Sequence, residues 1–102
     1  MTIHSSSIIN PDSELAKGVT VGPFSIIGPH AKIGKGTVIG SHVLIEANTV
    51  IGKNCKIFHG ASIGGEPQIM NFKDVSSSVE IGDGTVVREY ATIHRSGFKD
   101  GI

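Results

Sequence analysis

Aliphatic residues recur at every sixth position along most of this chain. The column comprises Ile3, Ile9, Leu15, Val21, Ile27, Ile33, Ile39, Ile45, Ile51, Ile57 and Ile63, and it returns at Ile81, Val87 and Ile93. A period of six matches neither the 3.6 residues of a helical turn nor a simple two-residue alternation broken by hairpin turns. It predicts short strands joined by regular corners, with each hexapeptide forming one side of a coil.

A second column of small or β-branched residues follows the aliphatic column by four positions. Its members are Ser7, Ser13, Val19, Ser25, Ala31, Thr37, Val43, Thr49, Cys55, Ala61, Thr85, Ala91 and Gly97. We expect both columns to point inward, with aliphatic side chains of successive coils roughly 4.8 Å apart. The prediction is a single all-β domain over residues 1–102, with Cys55 as an inert buried thiol. The aliphatic residues expected to be fully buried are Ile33, Ile39, Ile45, Ile51 and Ile57.

The repeat is interrupted between Ile63 and Ile81. The stretch GGEPQIMNFKDVSSS has the composition of a loop, and Pro67 and Lys73 stand where small residues are expected. We therefore predict coils over residues 3–64 and 79–98, with an excursion over residues 65–78. The alternative is one more irregular coil. Loops on a rigid repeat are common places for binding groups.

Composition and charge exclude several classes of protein. Nine basic and nine acidic side chains cancel, so nothing favours nucleic acid as a partner. No run approaches the roughly 20 apolar residues of a membrane span, and the N-terminus lacks the features of a signal peptide. A cytoplasmic location is the expectation. The single cysteine cannot form an internal disulfide, so repetition or partner chains must supply stability.

The five histidines do not have the spacing of a metal site. If three hexapeptides make one turn, His42 and His59 fall on the same face in adjacent coils, with His4 further down and His30 and His94 elsewhere. A zinc site needs three suitably placed ligands, and the close His-x4-His pair expected of hexapeptide-repeat carbonic anhydrases is missing. No metal ligand is predicted, and each histidine alone is interpreted as a solvated imidazole.

Three segments resemble a known family over about Ile3 to Arg95. They are VGPFSIIGPHAKIGKGTVIGSHVLIE, FHGASIGGEPQ and VEIGDGTVVREYATIHR, and they are similar to the acyl-carrier-protein-dependent UDP-N-acetylglucosamine O-acyltransferases that begin lipid A synthesis. The resemblance implies a left-handed parallel β-helix and a cytosolic homotrimer without a cofactor. Such a trimer transfers an R-3-hydroxyacyl group from acyl carrier protein to the 3-hydroxyl of the glucosamine ring. Its active site lies in the groove between neighbouring subunits.

The same resemblance implies four substrate-binding positions. Gln68 matches a loop glutamine that contacts the nucleotide sugar, and His94 with Arg95 matches a His-Arg pair that follows the excursion. Asn71 and Ile69 stand where the family usually has Lys and Asp, so this chain lacks two charge-assisted contacts. Either the acceptor differs or it is bound weakly.

The resemblance also implies that no catalytic residue lies within these 102 residues. The general base of the family is a histidine in a coil beyond TIHR, followed by further coils and a helical domain. One interpretation is the N-terminal part of an acyltransferase, cut short before that base. A second is a non-catalytic trimeric β-helix that serves binding or assembly, and a third is a different hexapeptide sugar acyltransferase or acetyltransferase.

Overall fold

The predicted coil is confirmed in the computed structural model, which describes residues 2–65 and 78–94. The chain is a left-handed parallel β-helix, and every regular element in the described ranges is a short β-strand. Strands pair with strands eighteen residues further on, as Thr2 does with Thr20, so three hexapeptides make one coil. No helix in the described part of the chain is long and apolar enough to span a membrane.

The strands form three parallel sheets, one for each side of the coil. Sheet A contains β1 (Thr2–Ile3), β4 (Thr20–Val21), β7 (Val38–Ile39), β10 (Lys56–Ile57) and β13 (Val86–Val87). Sheet B contains β2 (Ile8–Ile9), β5 (Ile26–Ile27), β8 (Leu44–Ile45), β11 (Ser62–Gly65) and β14 (Thr92–His94). Sheet C contains β3 (Glu14–Leu15), β6 (Lys32–Ile33), β9 (Thr49–Ile51) and β12 (Val79–Ile81). We call their outward surfaces faces A, B and C.

The aliphatic column forms the core of the coil. Ile33, Ile39, Ile45, Ile51 and Ile57 are each at most 2% exposed, as predicted. Each buried aliphatic side chain of this size stabilises the fold by roughly 1.5–3 kcal/mol. Cys55 is a buried free thiol, which agrees with its interpretation as part of the inward column.

Hydroxyls in the small column connect one coil to the next. Ser25 Oγ donates to the Gly40 carbonyl at 2.7 Å, and Thr37 Oγ1 donates to the Gly52 carbonyl at 2.7 Å. Thr37 Oγ1 also accepts a hydrogen bond from the Cys55 backbone N–H at 3.1 Å. These side chains satisfy buried backbone groups at corners where the strand ladder has ended.

Corner residues from Gly18 to Gly60, and again Gly84 and Tyr90, adopt the left-handed backbone region, and most of them donate their N–H to the preceding coil. At the corner that joins sheets A and B, the His42 N–H donates to the Pro23 carbonyl and the Tyr90 N–H to the His59 carbonyl. The corner that joins sheets C and A uses the same bond, from Asn54 to the Lys35 carbonyl. These corner residues line up along the coil and form three edges, which we call the A–B, B–C and C–A edges.

Candidate functional site

Of the predicted substrate-binding residues, His94 is the one that the structure describes. It ends β14, on the side of sheet B that adjoins the B–C edge, and its side chain is half-buried. Gln68, Asn71 and Arg95 lie outside the described residues. Their assignments therefore stay predictions.

His94 lies beside the point where the chain enters residues 66–77. Strand β11 continues through Gly65, which the sequence analysis assigned to the excursion, and Gly65 pairs with His94. A Cβ atom on Gly65 would lie 3.7 Å from His94 Nδ1, so the imidazole lies against this glycine. The pairing brings His94 to the beginning of the segment that contains Gln68 and Asn71.

A bulge changes the backbone just before Gly65. The ladder between β11 and β14 shifts register between Ile63 and Gly65, and Gly64 between them has a φ of +86°. Bulges are frequent next to functional sites, where they change the direction of a side chain. From sequence alone, Gly64 is one of several similar glycines that follow an inward aliphatic residue. Only the structure distinguishes it as the place where the regular corner ends.

The altered corner leaves a polar atom without its usual partner. By analogy with Ser25 and Thr37, the Thr49 hydroxyl should donate to the carbonyl of Gly64, fifteen residues further on. Thr49 is fully buried, yet Oγ1 has no hydrogen-bond partner among the described residues. The regular bonding of the coil is therefore lost at the same place where β11 is extended.

The register of sheet C measures how much chain is added after this corner. Ile51 pairs with Ile81, thirty residues further on rather than eighteen. Twelve additional residues therefore separate these coils, and twelve is twice the repeat. This length explains why a spacing of six counted from Ile63 still falls on Ile81 after the interruption.

His42 and His59 lie in successive coils at the A–B edge, and their rings contact aromatic neighbours. His42 lies 5.2 Å from Phe24 between ring centroids, and His59 lies 5.3 Å from Tyr90 with the rings edge to face. Within the described ranges, no group of three or more His, Cys, Asp or Glu residues could hold a metal ion.

Two concave surfaces of the described chain lie away from His94. A shallow groove of about 660 Å³ crosses face C, where Glu14, Lys32 and Asp83 line it. A smaller concavity of about 280 Å³ on face A is lined by residues that include Lys56 and Phe58. Neither includes His94.

The fold and this corner define a class, the hexapeptide-repeat transferases. The family model described as "Bacterial transferase hexapeptide (six repeats)" matches residues 30–65. Among curated relatives, an acyl-[acyl-carrier-protein]–UDP-N-acetylglucosamine O-acyltransferase from Trichlorobacter lovleyi is 61% identical over 95 residues, which are 93% of this chain and 36% of that protein. The same enzyme from Sulfurihydrogenibium sp. is 62% identical over 101 residues, covering 98% of this chain and 37% of that one.

Solved structures give the same result. The UDP-N-acetylglucosamine O-acyltransferase of Moraxella catarrhalis superposes with a TM-score of 0.91 at 42% identity, covering 94% of this chain and 37% of that one. The Francisella novicida acyltransferase gives a TM-score of 0.90 at 43% identity, with coverages of 93% and 35%. The chain belongs to the family of acyl-carrier-protein-dependent UDP-N-acetylglucosamine O-acyltransferases and spans about a third of the length of these relatives.

Proposed function

We propose that this chain forms the nucleotide-sugar-binding part of an O-acyltransferase that acts on UDP-N-acetylglucosamine. The observation that carries the proposal is the pairing of His94 with Gly65, at the entrance to the segment that contains Gln68 and Asn71. The sequence identity of about 60% to enzymes with this name, over more than nine tenths of the chain, supports it.

In the proposed site, residues 66–77 leave the coil after β11 and return to it before β12, and the coil continues to about residue 98. Gln68 contacts the nucleotide sugar from this excursion, while His94 and Arg95 approach from the adjoining coil. A guanidinium can hold a phosphate through two parallel hydrogen bonds, so Arg95 is suited to the diphosphate. The His94 imidazole offers a nitrogen for a polar group of the sugar.

The proposed partners are two further copies of the chain and an acylated carrier protein. The groove between subunits would contain the site, and the acyl group would pass from the carrier protein to the 3-hydroxyl of the glucosamine ring. The general base of this transfer is proposed to lie in coils beyond residue 102. The 102-residue chain alone is therefore expected to bind the sugar nucleotide weakly and to transfer no acyl group. A cytoplasmic location belongs to the same proposal.

Calorimetric titration of the 102-residue chain with UDP-N-acetylglucosamine tests the proposal. We expect saturable binding. Arg95→Ala should lower the affinity by at least about tenfold, since hydrogen bonds to charged groups contribute roughly 1.5–3 kcal/mol, and His94→Ala should lower it by about two- to tenfold, since a neutral hydrogen bond contributes roughly 0.5–1.5 kcal/mol. The matched control is Lys35→Ala, because Lys35 is exposed on the C–A edge. This variant should bind UDP-N-acetylglucosamine with unchanged affinity. No saturable heat at millimolar ligand would contradict the proposed site.

A paired substitution tests whether the acceptor site is only weakened. Ile69→Asp together with Asn71→Lys restores the residues usual in the family, and it should tighten UDP-N-acetylglucosamine binding by at least about tenfold through charge-assisted hydrogen bonds. Hydroxyacyl transfer by the unmodified chain would show that the general base lies within these 102 residues, contrary to the proposal.

A second candidate is a transferase for a different sugar nucleotide, and Ile69 with Asn71 favours it. An aliphatic and an amide side chain at these positions suit a less polar acceptor than the family norm. If the double variant does not improve binding of UDP-N-acetylglucosamine while another UDP-sugar binds the unmodified chain more tightly, this second function replaces the first.

A further inference from the structure

Gly64 differs in backbone conformation from the other glycines at its place in the hexapeptide. This place directly follows the inward aliphatic residue, and six other hexapeptides have glycine there: Gly22, Gly28, Gly34, Gly40, Gly52 and Gly82. None of these six, all of which lie in the described ranges, has a positive φ, whereas the φ of Gly64 is +86°. Gly64 is therefore the exception among seven chemically identical corners.

The small column uses two kinds of carbonyl as hydrogen-bond acceptors. Four of its side chains donate to a regular glycine of the next coil: Ser7 to Gly22, Ser25 to Gly40, Thr37 to Gly52 and Cys55 to Gly82. Two others, Ser13 and Thr85, donate to the carbonyl three residues before them. Of the hydroxyls of this column in the described ranges, the Thr49 hydroxyl alone makes neither bond.

Thr49 and Gly64 contain the donor and the acceptor of the missing bond. Thr49 is fully buried, and its Oγ1 lies so close to Gly64 that a Cβ on this glycine would overlap it. A buried hydroxyl without a partner is unfavourable. Turning Gly64 to the backbone conformation of its six equivalents would direct its carbonyl towards Thr49 and restore the bond. Glycine adopts either sign of φ at similar cost, so the backbone permits both conformations.

A different contact holds Gly64 in its present conformation. The positive φ accompanies the register shift after which Gly65 pairs with His94. In the same sheet, the equivalent strands β5 and β8 end at their aliphatic residue, so a regular corner would end β11 at Ile63. The Thr49 bond and the His94 pairing therefore need different conformations of one glycine, and only one of them can form at a time.

We propose that the Gly64 corner exchanges between these two conformations and that the sugar nucleotide selects the bulged one, an inference that rests on the proposed function. In the bulged conformation Gly65 pairs with His94, and the imidazole lies against this glycine. In the regular conformation Thr49 bonds to Gly64, and His94 loses the strand that holds it. Thr49 is thus a positioning residue, which acts on His94 through Gly64. The regular conformation is the minor one, at roughly 1–10% of molecules.

Nuclear magnetic resonance relaxation dispersion on the 15N-labelled 102-residue chain tests the exchange. The backbone amides of Gly64, Gly65 and His94 should exchange on the microsecond-to-millisecond timescale. Thr49→Val keeps the shape of the side chain but removes the donor, so the regular conformation should become at least about fivefold less populated. The dispersion at all three amides should shrink accordingly.

Two further variants separate the hydroxyl of Thr49 from its packing. Thr49→Ser keeps a hydroxyl and should keep the exchange at Gly64. The matched control is Thr37→Val, which removes the equivalent bond to Gly52 two corners away and should leave the exchange at Gly64 unchanged. Dispersion that persists undiminished in Thr49→Val overturns the role of Thr49.

Addition of UDP-N-acetylglucosamine tests the selection by the ligand. A ligand that binds only the bulged conformation, at about ten times its dissociation constant, should reduce the regular population about tenfold. This measurement uses the unmodified chain, so it does not depend on the folding of any variant. Saturable binding that leaves the dispersion unchanged overturns the selection but leaves the proposed function standing.

The remaining outcomes distinguish the corner from the site. An unmodified chain whose Gly64 and Gly65 amides show no exchange, and have the same chemical shifts as in Thr49→Val, overturns the two conformations without affecting the proposed function. A chain that shows exchange at Gly64 but no saturable heat with the sugar nucleotide contradicts the proposed function and, with it, the selection.

Discussion

Two buried threonines in the same column differ in what their hydroxyls contact. Thr37 Oγ1 connects the Gly52 carbonyl to the Cys55 N–H, whereas Thr49 Oγ1 has no partner among the described residues. The sequence predicted both as inward small residues and could not distinguish them, because the difference depends on the backbone of Gly64. Whether a buried hydroxyl of this column finds a hydrogen-bond partner thus depends on the backbone of the corner fifteen residues further on.

The first prediction compares valine at these two positions. Thr37→Val leaves two buried backbone groups without a partner and should lower the free energy of unfolding by about 1–3 kcal/mol. Thr49→Val keeps the shape and removes an unpaired hydroxyl, so stability should be unchanged or higher. Urea denaturation measures both. A Thr49→Val loss as large as that of Thr37→Val would mean that the Thr49 hydroxyl has a partner outside the described residues.

The second prediction concerns the bulge next to His94. Gly64→Ala places a Cβ on a residue with positive φ, where it would overlap Thr49 Oγ1, and should lower the free energy of unfolding by roughly 3 kcal/mol or more. Gly65→Ala meets only an ordinary contact with His94 and is the control. Adding Thr49→Ala to Gly64→Ala should recover part of the loss, by relieving the overlap but not the backbone strain. Equal stability of the two single alanine variants would contradict the bulge.

At the scale of elements, each strand of two residues has one side chain that points into the core and one that points outward. Ile39 is 1% exposed and its strand neighbour Val38 is 44% exposed, so chemically similar residues have opposite roles. The period of six predicts this alternation, since the inward residue of each hexapeptide is fixed by the column. The extension of β11 to Gly65 has no comparable signal, because pairing with His94 after a register shift causes it.

The third prediction compares aspartate at these two neighbouring positions. Ile39→Asp introduces a carboxylate into an apolar stack and should prevent cooperative folding, because no partner compensates the lost hydration. Val38→Asp places the same group outside, where its sheet neighbour is Lys56, and should fold. Circular dichroism during thermal unfolding separates the two. A cooperatively folding Ile39→Asp variant would count against the buried column.

For the whole molecule, a narrow coil has little interior of its own. Val21 is 1% exposed, but Ile3 in the first coil is 39% exposed, since a coil at the end of the stack is covered on one side only. Repeat proteins gain stability from each neighbour, and short ones depend on caps or oligomers. Association should therefore contribute to the folded state of this chain.

The fourth prediction is a thermal midpoint that depends on protein concentration. If folding is coupled to the proposed trimer, the midpoint of the unmodified chain should rise as its concentration increases, by mass action. Differential scanning calorimetry at several concentrations provides the measurement. A midpoint that does not change with protein concentration would argue against folding that is coupled to the trimer.

The sequence alone determined the coil and its buried column, because a period read along one chain needs no knowledge of distant contacts. That three hexapeptides make one turn was decided by the pairing of strands eighteen residues apart. The sequence also identified the candidate residues of the site through resemblance. Only the tertiary structure decided that β11 extends to Gly65 beside His94 and that the Thr49 hydroxyl lies outside the regular bonding. These features arise between residues fifteen positions apart, Thr49 and Gly64, or twenty-nine positions apart, Gly65 and His94, where backbone conformation at one corner determines the contacts of another.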